Sequence, residues 1–358
     1  MKTFLTTAII FFIAIATQAQ SVFDNGYGKW GMKDSSGKVI FSDKYDEAWP
    51  FSDGFAAVMR DYKWGYIDGT GKEVIPLMFD DVDVFSGGFA RVRVGQDEED
   101  NWSLIDKTGR QIIAPKYDDL GDYSEGLIAV GMGEYTNGNY GFIDTTGKVI
   151  IPLTYNYVYN FSEGLAHVTH KRKNGYIDKT GRVVIPLMYD EAYSFSYGLA
   201  SVWLKGKFGY IDKTGKEIIP LKYDNAYPFV EGRATVILNG KIGFIDTTGK
   251  EVTPTKYDYV YDFSDGFASV SINSKWGVVD HMGKEITPLK YSFVHSFSEE
   301  LAIIELNGKR GYINKEGKEV APPIYDKIET FRYGKGQLKL NGEWFYIDKT
   351  GERIVEEE

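Results

Sequence analysis

Leu199-Ala200-Ser201-Val202-Trp203 has the two-residue alternation of a half-buried strand, and Lys205-Gly206-Lys207 turns the chain into a second strand, Phe208-Gly209-Tyr210-Ile211. Asp212-Lys213-Thr214-Gly215 then places Asp first and Gly fourth. That is the order of a type I turn whose glycine supplies the left-handed residue of a hairpin bulge. The third predicted strand, Lys216-Glu217-Ile218-Ile219-Pro220, stops at proline, which cannot donate to a ladder. About twelve further residues, 221–232, cross to the next unit.

The same pattern returns along the whole chain. Its turn glycines are Gly37, Gly71, Gly109, Gly147, Gly181, Gly215, Gly249, Gly283, Gly317 and Gly351, spaced by 34, then 38 twice, then 34 six times. A fixed period of this size denotes a stacked array of one supersecondary unit, each too small to bury its apolar face alone. Two aromatic anchors recur in the crossovers, as Tyr189 and Phe195 and again as Tyr223 and Phe229. Within the strands, Ala200 and Val202 share one face, as do Gly209 and Ile211, with glycine leaving room for a neighbouring backbone or ring. The expectation is an all-β array of about ten 34-residue, three-stranded antiparallel units in an open superhelical stack. A closed propeller-like ring is the alternative, although ten units exceed the four to eight blades usual there.

Certain residues at fixed places in the unit carry a family pattern. Lys63-Trp64-Gly65, followed by Tyr66-Ile67-Asp68 and the Thr70-Gly71 turn, and again Lys275-Trp276-Gly277, resemble the bacterial WG (KWG-type) repeat over about residues 27–355. Other units depart from the Trp-Gly pair, with Tyr140-Gly141, Asn174-Gly175, Ile242-Gly243, Arg310-Gly311 and Trp344-Phe345. The resemblance implies an interaction repeat rather than an enzyme class, with no shared catalytic residues to carry over.

Composition adds a compartment. Lys2, the nine-residue apolar stretch Ala8–Ala16 and the small residues of Thr17-Gln18-Ala19 read as a secretory signal, residues 1–19, ahead of a single repeat domain at 20–358. The apolar stretch is well short of the roughly 20 residues a spanning helix needs, so no membrane insertion of the mature chain is expected. The protein is therefore expected in the periplasm or outside the cell. The chain contains no cysteine, which excludes disulfides, thiolate metal sites and a lipid-modified cysteine. Its formal charge of −10 opposes nucleic acid as a partner.

Candidate chemistry is sparse, and neither a cofactor nor a metal is expected. The aspartates that begin the turns, such as Asp178 and Asp212, read as caps on the turn amides. His167 and His170 are three apart in a predicted strand, point to opposite faces and cannot chelate one metal. With His281 and His295 they read as surface residues. Asp80 and Asp81 would serve glycoside hydrolysis only opposite a second acid.

Variable positions say more. Between the two anchors stand Trp49, Asp83, Gly121, Tyr159, Tyr193, Tyr227, Tyr261, His295 and Glu329. Four consecutive units thus place tyrosine at one station, a row suited to stack on sugar faces or grip a protein, unless it serves only as a ladder between crossovers. The two four-residue insertions enlarge adjacent hairpins and add Asp97, Glu98, Glu99 and Asp100 in one and Tyr135 in the other. Insertions on one edge of an array often mark a binding face. The leading expectation is a secreted, non-enzymatic binding or scaffold protein for a protein partner. A glycan-binding, lectin-like module of the cell envelope is the alternative, and a hydrolase the third.

Overall fold

The computed structural model describes residues 21–24, 26, 28–34, 37–95, 102–133, 139–332 and 334–354, and every element among them is a β-strand. The strands form ten antiparallel sheets, the first three-stranded and nine four-stranded. The expected leader, residues 1–19, and its expected cleavage point lie outside the described residues. The chain divides into two compact units, 1–157 and 158–358.

The sheet of Glu191–Ala192, Leu199–Leu204, Lys207–Asp212 and Glu217–Tyr223 shows how the repeat builds itself. The three expected strands are present, and the crossover contributes a fourth, two residues long, with Glu191 opposite Trp203 and Ala192 opposite Val202. Lys205 and Gly206 both have positive φ, 54° and 81°, the signature of a type I′ hairpin that matches the strands' natural twist. At the next turn the Gly215 amide donates to the Asp212 carbonyl at 2.9 Å with φ +84°, and the register slips beside it. The predicted type I turn with its glycine bulge is therefore in place.

Proline does not end the third strand. Glu217–Tyr223 continues through Pro220, because this is the edge strand of its sheet and the missing N–H has no ladder partner to lose. The bend beyond Ile219 explains the glycine of the repeat. A Cβ on Gly209 would lie 2.6 Å from the Ile219 carbonyl oxygen and 2.8 Å from the Leu221 nitrogen. What approaches the glycine is thus the backbone of its own sheet's third strand, and Gly65, Gly175 and Gly243 meet the same segment in theirs.

Apolar side chains are buried between consecutive sheets. In the unit 158–358, Tyr176, Ile185 and Tyr189 of one sheet close on Ala192, Phe195, Ala200, Val202 and Ile211 of the next. The Tyr176 and Phe195 rings are 4.9 Å apart, and Tyr210 and Phe229 repeat the pair one sheet on at 5.0 Å. Within residues 1–157 the corresponding pair is Tyr66 and Phe85, at 4.7 Å. Stacking completes the core, as the small size of the unit requires.

Candidate functional site

Apart from Gly121, which lies within the strand Asp119–Ser124, each variable station immediately follows the short crossover strand, and its amide is held in the same way from sheet to sheet. The amides of Tyr159, Tyr193, Tyr227 and Tyr261 donate to the carbonyls of His167, Ser201, Thr235 and Ser269 at 2.9–3.0 Å. From the preceding sheet, the Tyr176 hydroxyl donates to the Tyr193 carbonyl and the Tyr210 hydroxyl to the Tyr227 carbonyl, both at 2.7 Å. Burial pushes both phenols well above the ordinary tyrosine range, so these hydroxyls remain donors. The frame fixes the main chain and leaves the side chain as the variable.

Those side chains reach the surface: Tyr159, Tyr193, Tyr227 and Tyr261 are between 38% and 50% exposed. Tyr159 lies flat on His167, centroids 4.4 Å apart and planes within 5°. Tyr193 leans towards Phe208 at 6.4 Å, and Tyr261 contacts Trp276 at 5.5 Å and Phe293 at 5.9 Å. The Tyr227 hydroxyl accepts a hydrogen bond from the Asn225 side-chain Nδ2 at 3.3 Å. In the other unit Trp49 is half-buried against Trp64 and donates its indole N–H to Glu47 at 3.0 Å.

Asp97, Glu98, Glu99, Asp100 and Tyr135 lie outside the described residues. The bases of both insertions are nevertheless built on the ordinary frame. The Gly95 amide donates to Asp80 at 2.8 Å and the Gly133 amide to Asp118 at 2.5 Å, just as Asp61 donates to Asp46 at 2.9 Å in a sheet without an insertion. Asp80 also pairs with Lys63, and Asp81 with Arg93 at 3.1 Å. The pair proposed from sequence for hydrolysis is thus engaged in holding strands and hairpins.

The turn aspartates act as caps. Asp178 Oδ1 accepts from the Thr180 amide at 3.0 Å, the Thr180 hydroxyl at 2.5 Å and the Arg182 amide at 3.1 Å. These donors, led by the threonine hydroxyl, pull its carboxyl down to about 2, and Asp106 likewise. His167 departs from the surface reading. It is 4% exposed, and its Nε2 lies 2.9 Å from the side-chain Oδ1 of Asn174, which also accepts from the Thr169 hydroxyl at 2.7 Å. Asn174 occupies the tryptophan place of the repeat, and this small polar side chain leaves a space that a hydrogen-bonded imidazole fills. Burial brings the His167 pKa down to about 4, against the opposing pull of the Asn174 bond. His281 is partly buried too, with Nε2 2.6 Å from the Glu231 carbonyl. Among the described residues no three His, Asp or Glu side chains gather as a metal set.

A clustering of exceptions that sequence comparison of the units passed over lies at the turns near the C-terminal end. Glu300, with φ +77°, stands where Gly198, Gly232, Gly266 and Gly334 carry φ between +70° and +81°. It borders a cleft of about 330 Å³ together with Asn314, Lys315, Lys318 and Lys349. A non-glycine residue at a glycine station was the available signal.

Recurring sheets, glycine-dependent bends and an exposed station on a fixed frame define a β-repeat scaffold. The WG containing repeat matches nine times, at 30–64, 64–96, 102–135, 140–173, 175–208, 208–241, 242–276, 276–309 and 311–344, and the chain belongs to this family. Comparison with curated proteins returns no match. Among solved structures the chain is similar to a eukaryotic initiation factor, with 10% identity, 84% of this chain and 94% of that one covered, and a TM-score of 0.49. It is also similar to Kluyveromyces lactis Hsv2p, with 10% identity, coverage of 76% and 97%, and a TM-score of 0.37. The dihydro-heme d1 dehydrogenase NirN is a third, with 14% identity, coverage of 75% and 72%, and a TM-score of 0.36.

Proposed function

We propose that this is a secreted, non-enzymatic binding protein of the bacterial periplasm or cell surface, whose repeat frame presents an aromatic row to a protein partner. The observation that carries the reading is the shared station of Tyr159, Tyr193 and Tyr227, where a backbone held through its amide, and at Tyr193 and Tyr227 through its carbonyl as well, exposes a tyrosine in each of three successive sheets. Tyrosine offers a large contact area with little entropy to lose, and a backbone already fixed lowers the ordering cost of association. The many carboxylates that hold hairpins and turns are engaged in structure, which supports binding over catalysis.

The test compares the full mature chain with its Tyr159→Ala/Tyr193→Ala/Tyr227→Ala variant in quantitative affinity capture from the envelope of the producing organism. Partners that copurify with the parent and are lost from the variant support the reading. An identical captured set, with the variant still folded by far-ultraviolet circular dichroism, removes it. Retention on a glycan array that disappears in the same variant favours the lectin-like alternative, in which the row stacks on sugars. Amino-terminal sequencing of the exported protein tests the leader, with Gln20 as the expected first residue.

A further inference from the structure

Near the C-terminal end of the tyrosine row the surface changes character. Tyr261, Phe293, His295 and Ser296 line a recess of about 160 Å³, formed where one crossover meets the next within the unit 158–358. Its wall is aromatic: Phe293 lies 5.1 Å from Trp276 and 4.7 Å from His295, and Tyr261 contacts both Trp276 and Phe293. Half of the Tyr261 surface remains accessible. Polar groups stand at the margin, with the His295 imidazole, the Ser296 hydroxyl and the Asp262 carboxylate all within the two adjoining hollows that share Tyr261 and Ser296.

The charge balance narrows the ligand. Asp262 accepts the Thr235 hydroxyl at 2.8 Å. Glu305 faces His295 at 3.3 Å and is paired with Arg310 at 2.9 Å. Among the described residues no lysine or arginine lines either hollow, as a phosphate would need, and Asp262 lines the adjoining hollow and not the aromatic recess itself, where an ammonium ion would sit. The recess offers ring faces beside a mixed set of donors and acceptors.

We propose that this recess binds one neutral hexopyranose ring. The C–H face of a sugar carries a weak positive potential that meets the negative face of an aromatic ring, while its hydroxyls donate and accept at once. Tyr261 and Phe293 supply the platform, and His295 and Ser296 take the hydroxyls. The volume is below the roughly 300–1,000 Å³ of drug-sized sites and suits a single ring, for which a millimolar dissociation constant is expected. The site is separate from the station triplet of the protein-partner reading, and each stands or falls without the other.

Titration of the full mature chain with methyl glucoside, galactoside and mannoside, read by saturation-transfer NMR and by tryptophan fluorescence, tests the assignment. At least one sugar saturates the protein in the millimolar range. Tyr261→Ala and Phe293→Ala each weaken it about tenfold or more, Tyr261→Phe retains it, and Tyr159→Ala/Tyr193→Ala leaves it unchanged. If Phe293→Ala does not fold, Tyr261→Ala and Ser296→Ala at the exposed rim carry the comparison. The proposal is overturned by the absence of a saturable response to all three sugars at about 100 mM, by sugar binding indifferent to Tyr261, or by saturation with choline in place of sugar.

Discussion

The hydroxyl of Tyr176 donates to the backbone carbonyl of Tyr193 at 2.7 Å, tying the middle strand of one sheet to the variable station of the next. A residue of the constant frame thereby fixes the main chain of a residue free to differ between units. Tyr176→Phe keeps the ring on Phe195 and leaves the Tyr193 carbonyl without this donor. It should cost about 1 kcal/mol, and Tyr210→Phe should do the same at Tyr227. Urea unfolding of each variant checks both values, and no change in midpoint would show that the hydroxyls contribute nothing to stability.

Two neighbouring glycines should respond differently to alanine. Gly209 has no room for a Cβ because the third strand's backbone lies within 2.6–2.8 Å of it, so Gly209→Ala should destabilise by about 3 kcal/mol. Gly206 faces open space and suffers only from its left-handed φ of +81°, so Gly206→Ala should cost about 1 kcal/mol. Thermal melts of the pair separate steric exclusion from backbone strain, and equal losses would contradict the distinction.

Glu300→Gly should stabilise the protein by about 1 kcal/mol, since it relieves a φ of +77° at a station where glycine is the rule. Differential scanning calorimetry reads the shift. A lower melting temperature would mean that the Glu300 side chain makes a compensating contact in the adjoining cleft.

Acid stability should show two windows. His167 titrates near 6.5 when unfolded and near 4 when folded, so the unfolded chain binds more protons between these values. Stability should fall by about 3 kcal/mol as pH drops from about 6.5 to about 4, with no further loss from this residue below that. His167→Gln should flatten this window. A second decline belongs to the turn carboxylates, whose folded values near 2 at Asp106 and Asp178 lie below the ordinary 3.8, so their contribution is complete above that value and is lost towards pH 2. Chemical denaturation between pH 2 and 8 resolves both, and a flat profile above pH 4 would place His167 in contact with water.

Much of the unit is local and therefore legible along the chain. The Asp212–Gly215 turn is specified by which residue accepts the turn amides and which adopts positive φ, both properties of a four-residue stretch. The same reading stopped the third strand at Pro220, because whether a missing N–H matters depends on which side of the strand has a neighbour. It also placed His167 at the surface, since burial there depends on Asn174, two places along the facing strand from its cross-strand neighbour Tyr176. The tyrosine station was visible as a variable position, whereas its fixed backbone and the recess beside Tyr261 were not.

By itself the sequence determined the period, the turn chemistry, the strand-forming segments and the dependence on stacking, because each follows from short-range backbone preference and from a unit too small to enclose a core. Only the tertiary structure decided that the repeat's glycine makes way for its own third strand, that Tyr176 and Tyr210 pin the next sheet's station, and that Tyr261, Phe293 and His295 meet around one recess. Gly209 meets Ile219 and Leu221 of its own sheet, Tyr176 reaches Tyr193 in the next, and Tyr261 meets Phe293 from another crossover, so the packing that brings them together is set by the register and stacking of whole sheets.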